Sequence, residues 1–205
     1  MTDRDYTRLV QAIEEQLQQK GRLIVAIDGR CGSGKSTLAA RLARELRCSV
    51  FHMDDFFPRP EQRTAERLSQ PGENVDHERF LAEVLLPLHN AQPVTYRPYL
   101  CARQQLGAPV TVPPTPLTMV EGSYACHPTL REYYGLRVFL TVAPEEQLRR
   151  IESRNGPEKA QMFRDRWIPF EEMYFQAFGA VRYCDTRVIE TIKETARAVS
   201  FFRPL

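Results

Sequence analysis

Residues 29–36 read GRCGSGKS and match the phosphate-binding pattern G-x-x-x-x-G-K-[ST] at every fixed position. The glycines let the backbone turn tightly and aim successive N–H groups at phosphate oxygens. The pattern assigns Lys35 to the β- and γ-phosphates and the hydroxyl group of Ser36 to Mg²⁺. It therefore predicts that the chain binds a nucleoside triphosphate. The residues expected to contact the nucleotide are Gly29, Arg30, Cys31, Gly32, Ser33, Gly34, Lys35, Ser36 and Thr37.

The segments on either side of this loop have the patterns of a buried strand and an amphipathic helix. LIVAI (23–27) is a short, mostly β-branched run, and Leu38, Leu42 and Leu46 recur after the loop at helical spacing. A helix that begins at the loop adds positive field to the anion site. Strand, loop and helix are the context that phosphate binding needs, which argues against a glycine-rich turn without a ligand.

The rest of the chain alternates predicted strands with predicted helices. Strands are expected at 22–28, 48–53, 117–122, 135–142 and 184–190, and helices at 4–20, 36–47, 77–89, 144–154, 164–178 and 191–199. Residues 56–75 have the composition of a long polar loop, and residues 93–112 predict a β-hairpin with a ragged tip. This order predicts one α/β domain over residues 1–205, with a mostly parallel five-stranded sheet, a small hairpin lobe and a short lid at about 154–167.

Composition and charge argue against several classes of protein. The chain has 205 residues and a net charge of +2, so bulk electrostatics give no basis for nucleic-acid or membrane binding. No apolar run approaches the ~20 residues of a membrane span, and the acidic N-terminus lacks the apolar region of a signal peptide. Five scattered cysteines without a C-x-x-C pair favour reduced thiols and a cytoplasmic location. The oligomeric state stays open, a homo-oligomer included.

Polar residues outside the phosphate loop have the chemistry of a small-molecule kinase rather than of a GTPase or transporter, whose signatures N-K-x-D and LSGGQ are absent. Asp54 follows the second strand, where it could accept the proton of an acceptor hydroxyl group or cap a turn. Glu121 ends the third strand and, with Ser36, is a candidate Mg²⁺ ligand, or else a solvated strand end.

Arg150 and Arg154 share a helix face, where they could stabilise a transferred phosphoryl group or form a solvated surface. The expected catalytic set consists of Lys35, Asp54, Arg150 and Arg154.

Taken in order, these motifs resemble those of the uridine/cytidine kinase group of P-loop kinases and, more distantly, the phosphoribulokinase group. The segments that carry the resemblance are DGRCGSGKST (28–37), HMDDFF (52–57), NVDHERF (74–80), PYL (98–100) and VEGSYACHP (120–128). The resemblance extends over about residues 22–190. It implies a P-loop NTPase-type three-layer sandwich that uses ATP and Mg²⁺.

The resemblance also implies roles for four residues. Asp54 is then the catalytic base, and Glu121 lies near Mg²⁺. Asp76 contacts the ribose hydroxyl groups and Tyr99 the nucleobase. Leu100 departs from the family, because nucleoside kinases usually have Asp at that position. We therefore expect γ-phosphoryl transfer from ATP to a small-molecule hydroxyl group, with uridine or cytidine as the first candidate. The alternatives are another small alcohol (a sugar phosphate, pantothenate or a vitamin precursor) and a non-catalytic ATP-binding regulatory module.

Overall fold

Strands and helices alternate along residues 1–190, the part of the chain that the computed structural model describes. The strands are β1 (Leu23–Gly29), β2 (Ser49–His52), β3 (Val94–Tyr96), β4 (Tyr99–Leu100), β5 (Gln105–Leu106), β6 (Val110–Val112), β7 (Leu117–Glu121), β8 (Leu136–Val142) and β9 (Thr186–Glu190). The α-helices are α1 (Asp3–Lys20), α2 (Lys35–Leu46), α3 (Ala65–Leu68), α4 (His77–Phe80), α5 (Leu86–His89), α6 (Pro144–Asn155), α7 (Pro157–Met162) and α8 (Ile168–Phe178). The helix predicted at 191–199 lies outside the described residues.

Five parallel strands form the central sheet in the order β2-β7-β1-β8-β9. The predicted α/β class with a mostly parallel five-stranded sheet is therefore confirmed. β1 lies at the centre, and its register pairs Ile27 with Glu121 of β7, which in turn pairs with His52 of β2. Because the strands are parallel, the phosphate loop, Asp54 and Glu121 all emerge at the carboxyl edge of the sheet, where open α/β sheets bind ligands.

Apolar side chains cover both faces of this sheet, so the molecule has three layers. Alternate residues of β1 point to opposite faces, as the period of a strand requires: Val25 and Ile27 to one core, Ala26 to the other. On the first face, α1 and α2 contribute Tyr6, Leu9, Ile13, Leu38 and Leu42. On the second face, the helical segments after β2 and β8 contribute Phe80, Val84, Leu85, Tyr174 and Phe175.

Helix α1 shows how closely local signals set an element's ends. The Thr2 side chain accepts a hydrogen bond from the backbone of Asp5, and the Asp5 carboxylate accepts one from the backbone of Thr2. The helix ends at Gly21, which has a left-handed conformation with φ 71°. The prediction of a helix over residues 4–20 is confirmed. Within residues 1–190, no helix combines the length and the apolar character that crossing a membrane would require.

The hairpin region and the helical connections are less regular than the sequence predicts. The segment predicted as one hairpin at 93–112 forms two short antiparallel ladders, β3 with β6 and β4 with β5. The helix predicted at 77–89 contains a π-helical turn at Leu81–Leu85. A second π-helical turn, Phe163–Trp167, joins α7 to α8 in the region predicted as a lid. Such turns often mark functional segments of helices.

Asp28 is a buried carboxylate that joins three parts of the fold at the end of β1. It accepts hydrogen bonds from the backbone N–H of Gly29 (2.6 Å), the backbone N–H of Cys126 (2.9 Å) and the hydroxyl group of Tyr174 (2.8 Å). Burial raises the pKa of Asp28, whereas the three donors and the nearby Lys35 ammonium act in the opposite direction. Asp28 therefore connects the start of the phosphate loop, the loop after β7 and helix α8.

We predict that Tyr174→Phe lowers the free energy of unfolding by about 1–3 kcal/mol, because it removes one donor from a buried acceptor. Urea denaturation of the purified protein measures the loss. Tyr183→Phe is the matched control, since Tyr183 is 47% exposed and its change should stay within about 0.5 kcal/mol. Equal losses in the two variants would contradict the structural role assigned to the hydrogen bond with Asp28.

Candidate nucleotide and acceptor site

A cavity of about 520 Å³ opens at the carboxyl edge of the sheet. Its walls come from the phosphate loop, the segment after β2, the loop after β7 and the helices α6 to α8. Ten of the residues predicted from the sequence line it: Cys31, Gly32, Gly34, Lys35, Ser36, Thr37, Asp54, Glu121, Arg150 and Arg154. The structure thus brings together the predicted phosphate-binding, metal-binding and catalytic groups. Gly29, Arg30 and Ser33 belong to the loop without lining the cavity.

The backbone of the phosphate loop holds its lysine in place. Gly29 has φ 134°, and a Cβ atom there would overlap the carbonyl oxygen of Leu140, so only glycine fits. The Nζ atom of Lys35 donates to the carbonyl oxygens of Gly29 (2.8 Å) and Arg30 (2.9 Å). These bonds place a buried ammonium group at the cavity wall. There it can interact with the β- and γ-phosphates that the motif assigns to it.

Ser36 and Glu121, the two residues predicted to bind Mg²⁺, are in direct contact. The Ser36 hydroxyl group lies 3.1 Å from Oε1 and 3.2 Å from Oε2 of Glu121. His52 Nδ1 lies 2.6 Å from the same Oε1 atom, and this hydrogen bond raises the pKa of His52. A hydroxyl and a carboxylate oxygen are hard ligands of the kind that Mg²⁺ prefers, so these residues fit the ion. The sequence did not predict His52, whose position depends on the pairing of β2 with β7.

Asp54 lines the cavity and is exposed. The surrounding protein reduces the hydration of Asp54, and this raises its pKa. The Glu121 carboxylate raises the pKa further, whereas Lys35 and His52 lower it. A carboxyl group with a raised pKa is a stronger proton acceptor than an ordinary aspartate once it is ionised. The adjacent Asp55 is placed differently, because its carboxylate accepts a hydrogen bond from the Tyr96 hydroxyl group (3.1 Å).

The two predicted arginines both line the cavity, from helix α6. Arg150 is held over the phosphate loop: its Nε atom donates to Glu146 (2.7 Å), and its Nη1 atom donates to the carbonyl oxygen of Gly32 (3.3 Å). Arg154 is exposed, and its Nε atom donates to the side chain of Asn155 (2.8 Å). Arg150 therefore contacts the phosphate loop directly, and Arg154 lines the cavity as an exposed side chain.

Two residues that the resemblance assigns to the substrate do not line this cavity. Asp76 is 1% exposed and caps α4, where its Oδ1 atom accepts from the backbone N–H of Arg79 (3.2 Å). Tyr99 is 4% exposed, and its hydroxyl group accepts a hydrogen bond from Arg63. Their substrate contacts therefore stay predictions. Residues that line the cavity without having been predicted include Phe57, Asn74, Cys101, Phe163, Trp167 and Glu171.

Glu73, His77 and His127 form the one group of potential metal ligands found among residues 1–190. The two imidazole rings stack with centroids 4.1 Å apart and planes at 16°. A metal ion lies near the plane of each imidazole that ligates it, and the planes of two rings stacked at this distance and angle meet only far from both rings. Both nitrogens of His77 are also hydrogen bonded, to Glu73 (3.0 Å) and Thr129 (3.2 Å). The cluster is therefore a hydrogen-bonded structural element.

Three solved structures share this fold over most of the chain. A protein described as a fructose transport system kinase, from a Silicibacter species, matches with a TM-score of 0.68 and 26% identity over 86% of this chain and 95% of its own. A protein described as a possible uridine kinase, from Bacillus stearothermophilus, matches with a TM-score of 0.64 and 22% identity over 88% and 98%. D-glycerate 3-kinase from Cryptococcus neoformans matches with a TM-score of 0.63 and 14% identity over 96% and 99%.

The sequence itself matches no protein-family model and no curated protein. The structural matches confirm the predicted resemblance to uridine kinase-like P-loop kinases at the level of the fold. The class defined by fold and cavity is a P-loop kinase-like α/β protein.

We predict that Lys35→Ala weakens ATP binding by at least about tenfold, because a charge-assisted hydrogen bond contributes about 1.5–3 kcal/mol. Isothermal titration with ATP and Mg²⁺ measures the dissociation constant. Lys20→Ala is the control, because it removes the same charge from the exposed end of α1, where Lys20 contacts Gln16. An ATP affinity that is the same in both variants would remove Lys35 from the nucleotide site.

Proposed function

We propose that this chain is an ATP-dependent small-molecule kinase that transfers the γ-phosphoryl group to a hydroxyl group. One observation carries the proposal: Lys35, the Ser36–Glu121 pair and Asp54 surround a single cavity at the carboxyl edge of the sheet. The fold similarity to three proteins described as kinases supports it. We place the whole activity in one domain, with the segment at 154–167 as its lid, and expect a cytoplasmic location.

The donor half of the site consists of backbone and side-chain groups that bind the triphosphate. The N–H groups of the phosphate loop and of the N-terminus of α2 donate hydrogen bonds to the phosphates, and Lys35 contacts the β- and γ-phosphates. Ser36 and Glu121 would hold Mg²⁺, which neutralises charge on the β- and γ-phosphates when it is bound. Arg150 and Arg154 stabilise the negative charge on the transferred group from the α6 side.

The acceptor half depends on Asp54. The oxygen of the acceptor hydroxyl group attacks the γ-phosphorus atom, the bond from that atom to the β–γ bridging oxygen breaks, and ADP leaves. The hydroxyl proton passes to the Asp54 carboxylate, which is why Asp54 must be ionised before transfer. The raised pKa of Asp54 makes it a better acceptor for this proton.

Uridine or cytidine is the first acceptor to test, because the sequence motifs resemble those of nucleoside kinases. The aromatic rings of Phe57 and Trp167, whose centroids are 5.7 Å apart, provide an apolar wall that suits a flat ring. A small sugar or hydroxy acid is the second candidate. It is favoured by the absence of Asp76 and Tyr99 from the cavity wall and by neighbours described as kinases of the fructose system and of D-glycerate.

ATP turnover against a panel of acceptors tests the proposal. The panel contains uridine, cytidine, fructose, a sugar phosphate, D-glycerate and pantothenate, and ADP release is followed with Mg²⁺ present. We expect ADP release that depends on one class of acceptor. Tight ATP binding without turnover on any acceptor would instead support the non-catalytic regulatory module.

We predict that Asp54→Asn lowers the turnover number by about 10²-fold or more, the usual contribution of a general base, and leaves ATP affinity nearly unchanged. Steady-state kinetics and ATP titration separate these two effects. The neighbouring Asp55→Asn is the matched control, because Asp55 is hydrogen bonded to Tyr96, and its turnover should stay close to that of the wild-type protein. Wild-type turnover in Asp54→Asn would exclude this residue as the base.

A further inference from the structure

Glu171, on helix α8, extends a carboxylate into the phosphate loop. The backbone N–H of Cys31 donates to both of its oxygens, at 3.1 Å and 3.0 Å. The hydroxyl group of Ser123 donates to the same carboxylate. The side chain is 4% exposed and forms part of the cavity wall. An amide of the anion-binding loop is thus already bound to an anionic group of the protein.

This carboxylate lies near the lysine that the motif assigns to the β- and γ-phosphates. Lys35 Nζ, the group expected to contact the β- and γ-phosphates, lies 3.4 Å from the Ser123 hydroxyl oxygen. Glu171 and Lys35 therefore contact the same side chain.

A γ-phosphate that binds the Cys31 N–H would compete with the Glu171 carboxylate for this donor, and the two anions would repel each other. The repulsion is strong because water is largely excluded from this part of the loop. Burial and, second to it, the Glu171 charge raise the pKa of the nearby Cys31 thiol to about 12. A bound third phosphate therefore requires Glu171 to move or to lose its contact with Cys31.

Given the proposed kinase function, we infer that Glu171 is a specificity residue that occupies the γ-phosphate end of the cradle in the nucleotide-free protein. ATP must displace it, whereas ADP, which lacks the third phosphate, does not. Tyr174, on the same helix, stays hydrogen bonded to Asp28, so the displacement is a rotation of the Glu171 side chain away from the Cys31 N–H. ATP binding is therefore coupled to this rotation.

The test compares ATP and ADP binding in Glu171→Gln, which keeps the size of the side chain and removes its charge. Isothermal titration with Mg²⁺ and without an acceptor measures both dissociation constants. We expect ATP affinity to rise by about tenfold or more and ADP affinity by less than about threefold. Glu172→Gln is the matched control: it removes the same charge one residue later, from a side chain that pairs with Arg30. Its effects on ATP and ADP should be alike and below about threefold.

Glu171→Asp provides a second variant in case the glutamine variant does not fold, which thermal unfolding checks. It keeps the charge but withdraws the carboxylate from the Cys31 N–H by one methylene, so the ratio of ATP to ADP affinity should rise by a smaller factor. Equal changes for ATP and ADP in these variants, or no change, would overturn the inference. Failure of the wild-type protein to bind either nucleotide would instead overturn the proposed function itself.

Discussion

The buried carboxylate of Asp28 is the interaction on which the site depends. Its three donors come from the first residue of the phosphate loop, from the loop after β7 that also contains Ser123, and from helix α8 that carries Glu171. A buried acceptor that loses a donor destabilises the protein, so these segments keep one arrangement. Asp28 therefore positions the phosphate loop, Ser123 and Glu171, although Asp28 itself does not line the cavity.

The register of the sheet then decides which side chains meet. Glu121 pairs across the sheet with Ile27 on one side and with His52 on the other, so its carboxylate emerges between the phosphate loop and the end of β2. This position explains why Glu121 contacts Ser36 and raises the pKa of both His52 and Asp54. The charges of the donor and acceptor halves are linked through Glu121, and the binding of a cation there would alter both.

Much of the fold could be predicted from the sequence, because its signals are local. Periodicity, caps and the phosphate-loop motif specify the strands and helices. The motif places Ser36, and the strand ends place Asp54 and Glu121, at the carboxyl edge of the sheet. Glu171 could not be predicted, because the Cys31 amide that it binds lies 140 residues away and only tertiary packing brings the two together. The π-helical turn at Leu81–Leu85 was missed because it lies within a helix whose apolar pattern continues through it.

The acceptor half is harder to read from sequence than the donor half for a physical reason. The proposed donor half uses backbone N–H groups and strand ends, which the fold itself positions. The three matching structures share this fold, but their descriptions refer to different acceptors. The acceptor end is lined by side chains from the segment after β2, the hairpin lobe and the lid, including Phe57, Cys101 and Trp167. These segments pack on the sheet without being part of its hydrogen bonding, so they can change while the fold is kept. For the proposed kinase we therefore expect acceptor specificity to depend on the contacts of these side chains rather than on the phosphate-loop motif.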